Sequence, residues 1–473
     1  MSQSTTPPAS RRWIALALIA LAQFMVIMDT SIIGVALPKM QASLGFTQEN
    51  LSWVFNAYVV VFGGLLLLGG RLSDLVGARR IFSFGWVILA AGSLVAGLAP
   101  NVAVELTGRG VQGIGAALIA PSALTLLMML FGANPKELTK AFAFYGAAAP
   151  AGGTAGVFLG GLITEYASWP WVFYINIPVA VLALATAPAL LPGGRAQRGS
   201  IDLLGAAMAT LGLAGAVFAI VRAPDVGWAD PATWGVLLAA TALLVGFVAL
   251  QGKRRQPLMP LSIFRAPSLG AANLAQLLLG AAWVPMWFFL NLYLQQVLGF
   301  SAFPSGAALV PMTLLIMVGM VALAPRLMAR FGAKAMIVTG LVLLAGGLYW
   351  LSFIRVEGTF WADVLPASLL AALGMSLAFV PSLQTAISSA KPEEGGLASG
   401  IVNTGYQIGS ALGLAVVTAV AVSYGAGQVG DPAALTDGFS VAFIAAAVIA
   451  LAAAVLAAVV MRPAKAAQLT KAA

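Results

Sequence analysis

No cysteine and no histidine occur among the 473 residues of this sequence. Disulfides, thiol nucleophiles, histidine proton relays and most zinc sites are therefore excluded, and any proton chemistry must rest on carboxylates. Charge is scarce as well. Asp, Glu, Lys and Arg make up 8% of the chain, too little to coat a soluble protein of this length. There is no glycine-rich phosphate loop ending in lysine, so ATP bound by this chain is not its energy source and no cofactor is expected. A convergent acid, base and nucleophile set is missing too, and an enzyme is not expected.

What the chain has in abundance is apolar side chains, 61% of the total. They fall in blocks of about 20 residues, the length of helix that crosses a hydrocarbon layer of roughly 30 Å. The expected fold class is therefore all-α and polytopic. Fourteen spans are expected, at 13–37, 51–70, 81–98, 103–131, 140–164, 170–191, 201–221, 232–251, 268–298, 304–325, 335–354, 362–385, 398–424 and 439–461. The first, Trp13 to Leu37, is too long for a signal-peptide core and reads as a retained helix.

The net charge of +9 does not point to nucleic acid, because the basic residues form no continuous face. They sit in short loops and obey a topological rule. With the N-terminus in the cytoplasm, 20 of the 24 basic residues fall inside: Arg11, Arg12, Arg71, Arg79, Arg80, Lys136, Lys140, Arg195, Arg198, Lys253, Arg254, Arg255, Arg265, Arg326, Arg330, Lys334, Lys391, Arg462, Lys465 and Lys471. Lys39, Arg222 and Arg355 fall outside, and Arg109 lies within the fourth span. Both termini are expected to be cytoplasmic.

The chain divides as six, two and six spans: residues 1–191, a linker with two inserted spans at 192–265, and residues 266–473. A faint repeat supports the division. Gly70-Arg-Leu-Ser-Asp74-Leu-Val-Gly77-Ala-Arg79 follows span 2, and Pro325-Arg-Leu-Met-Ala329-Arg-Phe-Gly332-Ala-Lys334 follows span 10. Gly77 and Gly332 fall in register. Paired bundles are a transporter architecture, with the substrate site expected near mid-membrane.

Gly70-x-x-x-Asp74-x-x-Gly77-x-Arg79-Arg80 resembles the second-loop signature of the major facilitator superfamily. Met28-Asp29-Thr30-Ser31 running on to Pro38 is similar to the first-helix motif of its fourteen-helix drug:proton antiporter branch. So are Gly108-Arg109-x-x-Gln112-Gly113-x-Gly115, Gly152-x-x-x-Gly156-x-x-x-Gly160-Gly161, Trp169-Pro-Trp171-x-Phe173-x-x-Asn176-x-Pro178, and the run from Gly396 through Asn403 and Gln407 to Gly409. Val157, Leu75 and Pro170 depart from the usual pattern. The resemblance covers essentially the whole chain. It implies proton-coupled antiport of small amphipathic compounds such as drugs, by a monomer in a bacterial cytoplasmic (inner) membrane. The expected partners are a small-molecule substrate, protons and the lipid bilayer, with no nucleic acid.

Asp29 lies about 24 Å along the first span at 1.5 Å per residue, where charge is costly. Such a carboxylate can carry a proton. The competing reading is that it faces an external vestibule or bonds backbone amides. Arg109 keeps its proton and needs an anion. Asp29 is the expected partner, with Gln112 one turn on, and a static ion pair is the plainer alternative. Glu105, one turn from Arg109, is either a second partner or a surface residue.

Gly152, Gly156 and Gly160 form a stripe that packing alone explains. In the resembled family it helps seal the cavity. Asp74 is expected to act in gating, paired with Arg79, Arg80 or a helix N-terminus. Gln23, Asn56, Gln112, Trp287 and Asn291 are candidate substrate contacts. The last two lie in an aromatic run with Trp283, Met286 and Phe288 that suits varied apolar ligands. A dedicated metabolite or antibiotic exporter fits the same residues. An uncoupled facilitator is the remaining alternative, and it would not need Asp29 or Arg109.

Overall fold

The computed structural model describes residues 9–46, 53–193, 202–254, 257, 259, 261–265, 268–391, 394–428 and 430–461. Arg195, Arg198, Arg255, Arg462, Lys465 and Lys471, counted above for orientation, lie outside the described residues. All regular structure among the described residues is helical. Twelve of the helical stretches are long and apolar enough to cross a membrane.

The chain divides into two compact units. Residues 1–263, 302–307 and 391–404 make up unit 1. Its helices are α1 (Ala9–Leu44), α2 (Trp53–Val76), α3 (Ala78–Gly97), α4 (Val102–Phe131), α5 (Pro135–Tyr166), α6 (Trp171–Leu190), α7 (Leu203–Val226) and α8 (Pro231–Gln251). Several start where a short polar side chain meets the free amides of the first turn. Asn101 caps Val104, and Asn134 and Asp230 each stand before a proline that opens the helix.

Within unit 1, α3 and α2 pack on α4, and α1 packs on α5. Glycines make these approaches close. A side chain at Gly85 would meet the Gly115 carbonyl, and one at Gly152 would meet the Phe24 carbonyl. The pair α7 and α8 packs on itself and on α2, where a Cβ at Gly64 would lie 2.8 Å from that of Ala214. At its base, the Asp202 carboxylate accepts from Gly205 N at 3.0 Å and from Gln251 Nε2 at 3.0 Å, with Arg254 at 3.7 Å.

Unit 2 comprises residues 264–301, 308–390 and 405–473. Its helices are α9 (Leu269–Val297), α10 (Phe303–Leu351), α11 (Phe360–Ser388), α12 (Gly395–Ala426) and α13 (Pro432–Val460), with the starts of α10 and α12 grouped in unit 1. The tenth and eleventh expected spans run together as α10, 49 residues long. No separate loop forms at 326–334. One residue, Gly332 at φ 81° and ψ 163°, breaks the helical backbone. Gly77, its partner in the repeat, sits between α2 and α3 at φ 106° and ψ 128°. Glycine is the residue that reaches this region without strain, so a single glycine does at each place the work expected of a loop.

Candidate functional site

Four helices of unit 1 bring a polar cluster into the interior. Asp29 comes from α1, Ser93 from α3, Arg109 and Gln112 from α4, and Asn176 from α6. All five are fully buried. Arg109 and Gln112 are three residues apart and so share a helix face. The Arg109 Nη1 donates to Asp29 Oδ2 at 2.7 Å and to Gln112 Oε1 at 2.7 Å, while Nε donates to the Val54 carbonyl at 2.8 Å. Gln112 Nε2 donates to Asp29 Oδ1 at 3.0 Å and to Ser93 Oγ at 2.8 Å. Asn176 Nδ2 donates to the same Asp29 oxygen at 2.7 Å. The Tyr58 and Phe173 rings lie 4.7 and 5.9 Å from the guanidinium carbon.

The Asp29 carboxylate thus accepts from one cation and two amides. Those bonds offset the cost of placing it away from water, which is severe for an unpaired ion. Two of the alternatives for Asp29 are corrected here. It has no exposure to a vestibule, and Arg109, Gln112 and Asn176 bond it through side chains rather than backbone amides. Gln112, expected among substrate contacts, has both ends of its amide committed to the cluster.

For Glu105 the surface reading is corrected, and no ion pair with Arg109 is formed in this arrangement. Glu105 is completely buried, not at the surface, and neither carboxylate oxygen has a hydrogen-bond partner among the described residues. Sequence reasoning also passed over Ser93, Tyr58 and the role of Asn176. Asn176 stood inside a quoted motif, and its place there was the available signal. Ser93 and Tyr58 carried none, since serine and tyrosine are common in such helices.

Asp74, at the end of α2, accepts from Gly396 N at 2.9 Å and Leu397 N at 3.0 Å. These are free amides of the first turn of α12, so of the expected partners the helix N-terminus is the one engaged. Arg79 instead donates to the Pro188 and Leu191 carbonyls at 3.3 and 3.2 Å. Gly70 and Gly396 permit the approach, because a Cβ on either would strike the other's backbone.

The glycine stripe of α5 lies against α1. Beyond Gly152, a Cβ at Gly156 would be 2.8 Å from that of Ser31, and one at Gly160 would be 2.9 Å from the Ile32 carbonyl. Of the candidate substrate contacts, Gln23 accepts from Tyr145 Oη at 2.7 Å and Asn56 is buried on α2. Trp287 and Asn291 lie in unit 2, half-buried. The Trp287 ring is 6.3 Å from that of Trp283.

The profile of the Major Facilitator Superfamily matches residues 19–414 and again 320–473. The chain belongs to that superfamily. It is 38% identical over 455 residues to the cephamycin export protein of Amycolatopsis lactamdurans, covering 95% of this chain and 93% of that one. It is 37% identical to the puromycin resistance protein of Streptomyces alboniger, covering 91% and 87%. Among solved structures, the human organic anion transporter MFSD10 superposes with a TM-score of 0.69 at 17% identity, covering 95% of this chain and all (100%) of that one. The proton:xylose symporter XylE superposes at 0.66 and 14% identity, covering 94% and 95%. These last two establish the fold. The protein is a multi-pass membrane transporter of the major facilitator type.

Proposed function

We propose that this protein exports small amphipathic compounds across a bacterial cytoplasmic membrane by alternating access, in exchange for protons. The observation that carries the reading is the buried Asp29–Arg109 pair with its amide partners. It is the one place in the described membrane helices where a carboxylate and a guanidinium meet with no exposure on either side. Protonating Asp29 cancels the charge that holds Arg109. Proton binding is thereby tied to a rearrangement of α1, α4 and α6. The proton gradient is the energy source, with no cofactor, and the working unit is a monomer.

Fourteen spans, in the division 1–191, 192–265 and 266–473, remain our reading of the topology. Two features support it. At 49 residues, α10 is more than twice the ~20 residues a crossing needs, and it breaks at Gly332. The 24-residue α7 pairs along α8. With both termini cytoplasmic, this count preserves the basic loops. In the cycle we assign gating to Asp74, as a clasp on the first turn of α12, and to Arg79 and Arg80 at the start of α3. To Gly152, Gly156 and Gly160 we assign the part of a close-sliding seam. Gln23, Asn56, Trp287 and Asn291 are the proposed substrate contacts.

A dedicated exporter of one antibiotic or metabolite is favoured by a specific observation: several relatives are named for single compounds, among them cephamycin, puromycin and tetracenomycin C, although another is named as a multidrug resistance protein. The test uses proteoliposomes with an imposed pH gradient, loaded in turn with ethidium, puromycin and a cephamycin. Gradient-driven movement of all three that Asp29→Asn abolishes is the expected result for a broad antiporter. Movement of one alone marks a dedicated exporter. Equal rates in both proteins with no response to the gradient would sink proton coupling and leave a facilitator.

A further inference from the structure

Arg109 has a second carboxylate within reach that the site as described does not use. Glu105 stands four residues before it on α4, on the same helix face. Both Glu105 oxygens are buried without a hydrogen-bond partner among the described residues, and so is Arg109 Nη2. The two side chains are not ion-paired in this arrangement. A buried carboxylate with no donor is far more costly than a buried carboxylic acid. A guanidinium nitrogen with spare N–H groups beside it is an unused donor.

The surroundings leave few other partners. The electrostatic neighbours of Glu105 are Arg109 on its own helix and Asp29 on α1. On α2, Tyr58, whose ring lies over Arg109, turns its hydroxyl to the Val26 carbonyl. On α6, the Tyr174 hydroxyl is committed to the Gly97 carbonyl. The charged residues of α3 and α5 lie at their ends: Arg79 and Arg80, and Lys136, Glu137, Lys140 and Glu165. Lys39 on α1 donates to the Thr164 carbonyl. The flanking α4 residues Val102 and Leu106 pack on an apolar cluster with Ile33, Ala96 and Phe173.

We propose that Glu105 is the alternate acceptor of Arg109, so that Asp29 and Glu105 share one proton and one arginine. In the arrangement seen here Asp29 is ionised and paired, and Glu105 holds the proton. When Asp29 takes a proton, the Arg109 Nη1–H···Oδ2 contact breaks. The guanidinium turns to Glu105 through Nη2, and the Glu105 O–H bond breaks as its proton leaves to water. One proton enters and one leaves, so the site is neutral before and after the exchange. Because Glu105 lies in the first turn of α4, the positive end of the helix eases its ionised state. This exchange rests on the antiport reading above.

The test does not require a transported compound. Infrared difference spectra of the purified full-length protein at neutral pH report the carbonyl stretch of a protonated carboxyl. The native protein should show a buried band that Glu105→Gln removes. Asp29→Asn takes away the present partner of Arg109, so Glu105 should ionise to replace it and the band should be lost there too. Retention of the band in Asp29→Asn would make Glu105 a static neutral acid and overturn the exchange. Absence from the native spectrum of any band sensitive to Glu105→Gln would overturn it as well. Glu105→Gln keeps the shape of the neutral acid, and its elution as a monodisperse peak checks that it folds. Should proteoliposome transport ignore the gradient, the antiport reading fails while these spectra still decide whether Glu105 exchanges.

Discussion

Units 1 and 2 are built on the same contacts but hold different chemistry. In unit 1, Gly85 and Gly115 face each other's carbonyls, and Gly92 lies against the Gln112 amide. In unit 2, Gly340 and Gly374 face each other likewise, and Gly347 lies against the Ala371 amide. Counted from Gly77 and Gly332, Gly85 and Gly340 are both eight residues on, and Gly92 and Gly347 both fifteen. A second set of contacts gives the register of α1. Gly152 and Gly156 approach the Phe24 and Met28 carbonyls, and Gly409 and Gly413 approach those of Leu277 and Ala281.

In that register Asp29, Glu105, Arg109 and Gln112 correspond to Ala282, Val364, Ser368 and Ala371. All four counterparts are buried, and none is charged. Every buried polar residue described in unit 2 is uncharged, with Gln276 to Ser382 Oγ at 2.9 Å as an example. The packing frame therefore does not require the ion pair. A frame that works without charge in one unit carries it in the other, which is why a functional account of the pair is preferred over a structural one.

The largest expected effect comes from giving unit 1 the residue of unit 2. Arg109→Ser leaves Asp29 buried and unpaired, which costs on the order of 3–5 kcal/mol. Tryptophan-fluorescence melting in detergent should show a large drop in Tm. The double change Asp29→Ala with Arg109→Ser removes the orphaned charge and should recover most of that loss, while gradient-driven transport stays absent. If the double variant is as unstable as the single one, the pair is part of the frame and the comparison fails.

Smaller effects are expected where the units are alike. Gly77→Ala and Gly332→Ala each force a side chain into a backbone region that costs on the order of 1–3 kcal/mol. A Cβ at Gly332 meets nothing within 4 Å, so there the cost is that of backbone conformation alone. The same Tm loss in both variants would sharpen the equivalence. An effect at one alone would break it.

The smallest effects concern charges at the margins. Asp202 is buried, which raises the cost of its charge, but the Gly205 amide, the Gln251 side chain and Arg254 outweigh that and hold it below the ordinary carboxylate value. Its contribution is thus present above the unfolded value of about 4 and is lost as pH falls through the depressed one. Asp202→Asn should lower Tm modestly at neutral pH, where the charged form contributes, and flatten the acid side of the Tm–pH curve, because the variant has no such contribution to lose. In unit 2, hydrogen bonding to Asp363 raises the exposed Arg355 guanidinium above its usual value. With the arginine exposed and the Thr359 amide still donating to Asp363, the pair contributes little, and Arg355→Ala should lower Tm only slightly.

Much was legible before any fold was known. Apolar blocks with basic punctuation mark membrane helices, because lipid tolerates little else. Gly77 and Gly332 stood in register because both must take a backbone conformation that other residues avoid. Asp29 and Arg109 were visible because a charge in an apolar run is expensive wherever the run is placed.

Their partners were not visible. Asn176 reaches Asp29 from 147 residues away and Ser93 reaches Gln112 from 19, and amides and hydroxyls occur in such helices for many reasons. The burial of Glu105 was hidden for a different reason. It lies near the start of its span, where sequence alone does not distinguish a headgroup position from an interior one. The apolar blocks, their helical character and the scarcity of charge follow from local composition, since each block meets lipid by itself. Which donors surround a carboxylate, and which carboxylate is left without any, depends on how α1, α2, α3, α4 and α6 pack, and only the tertiary structure decides that.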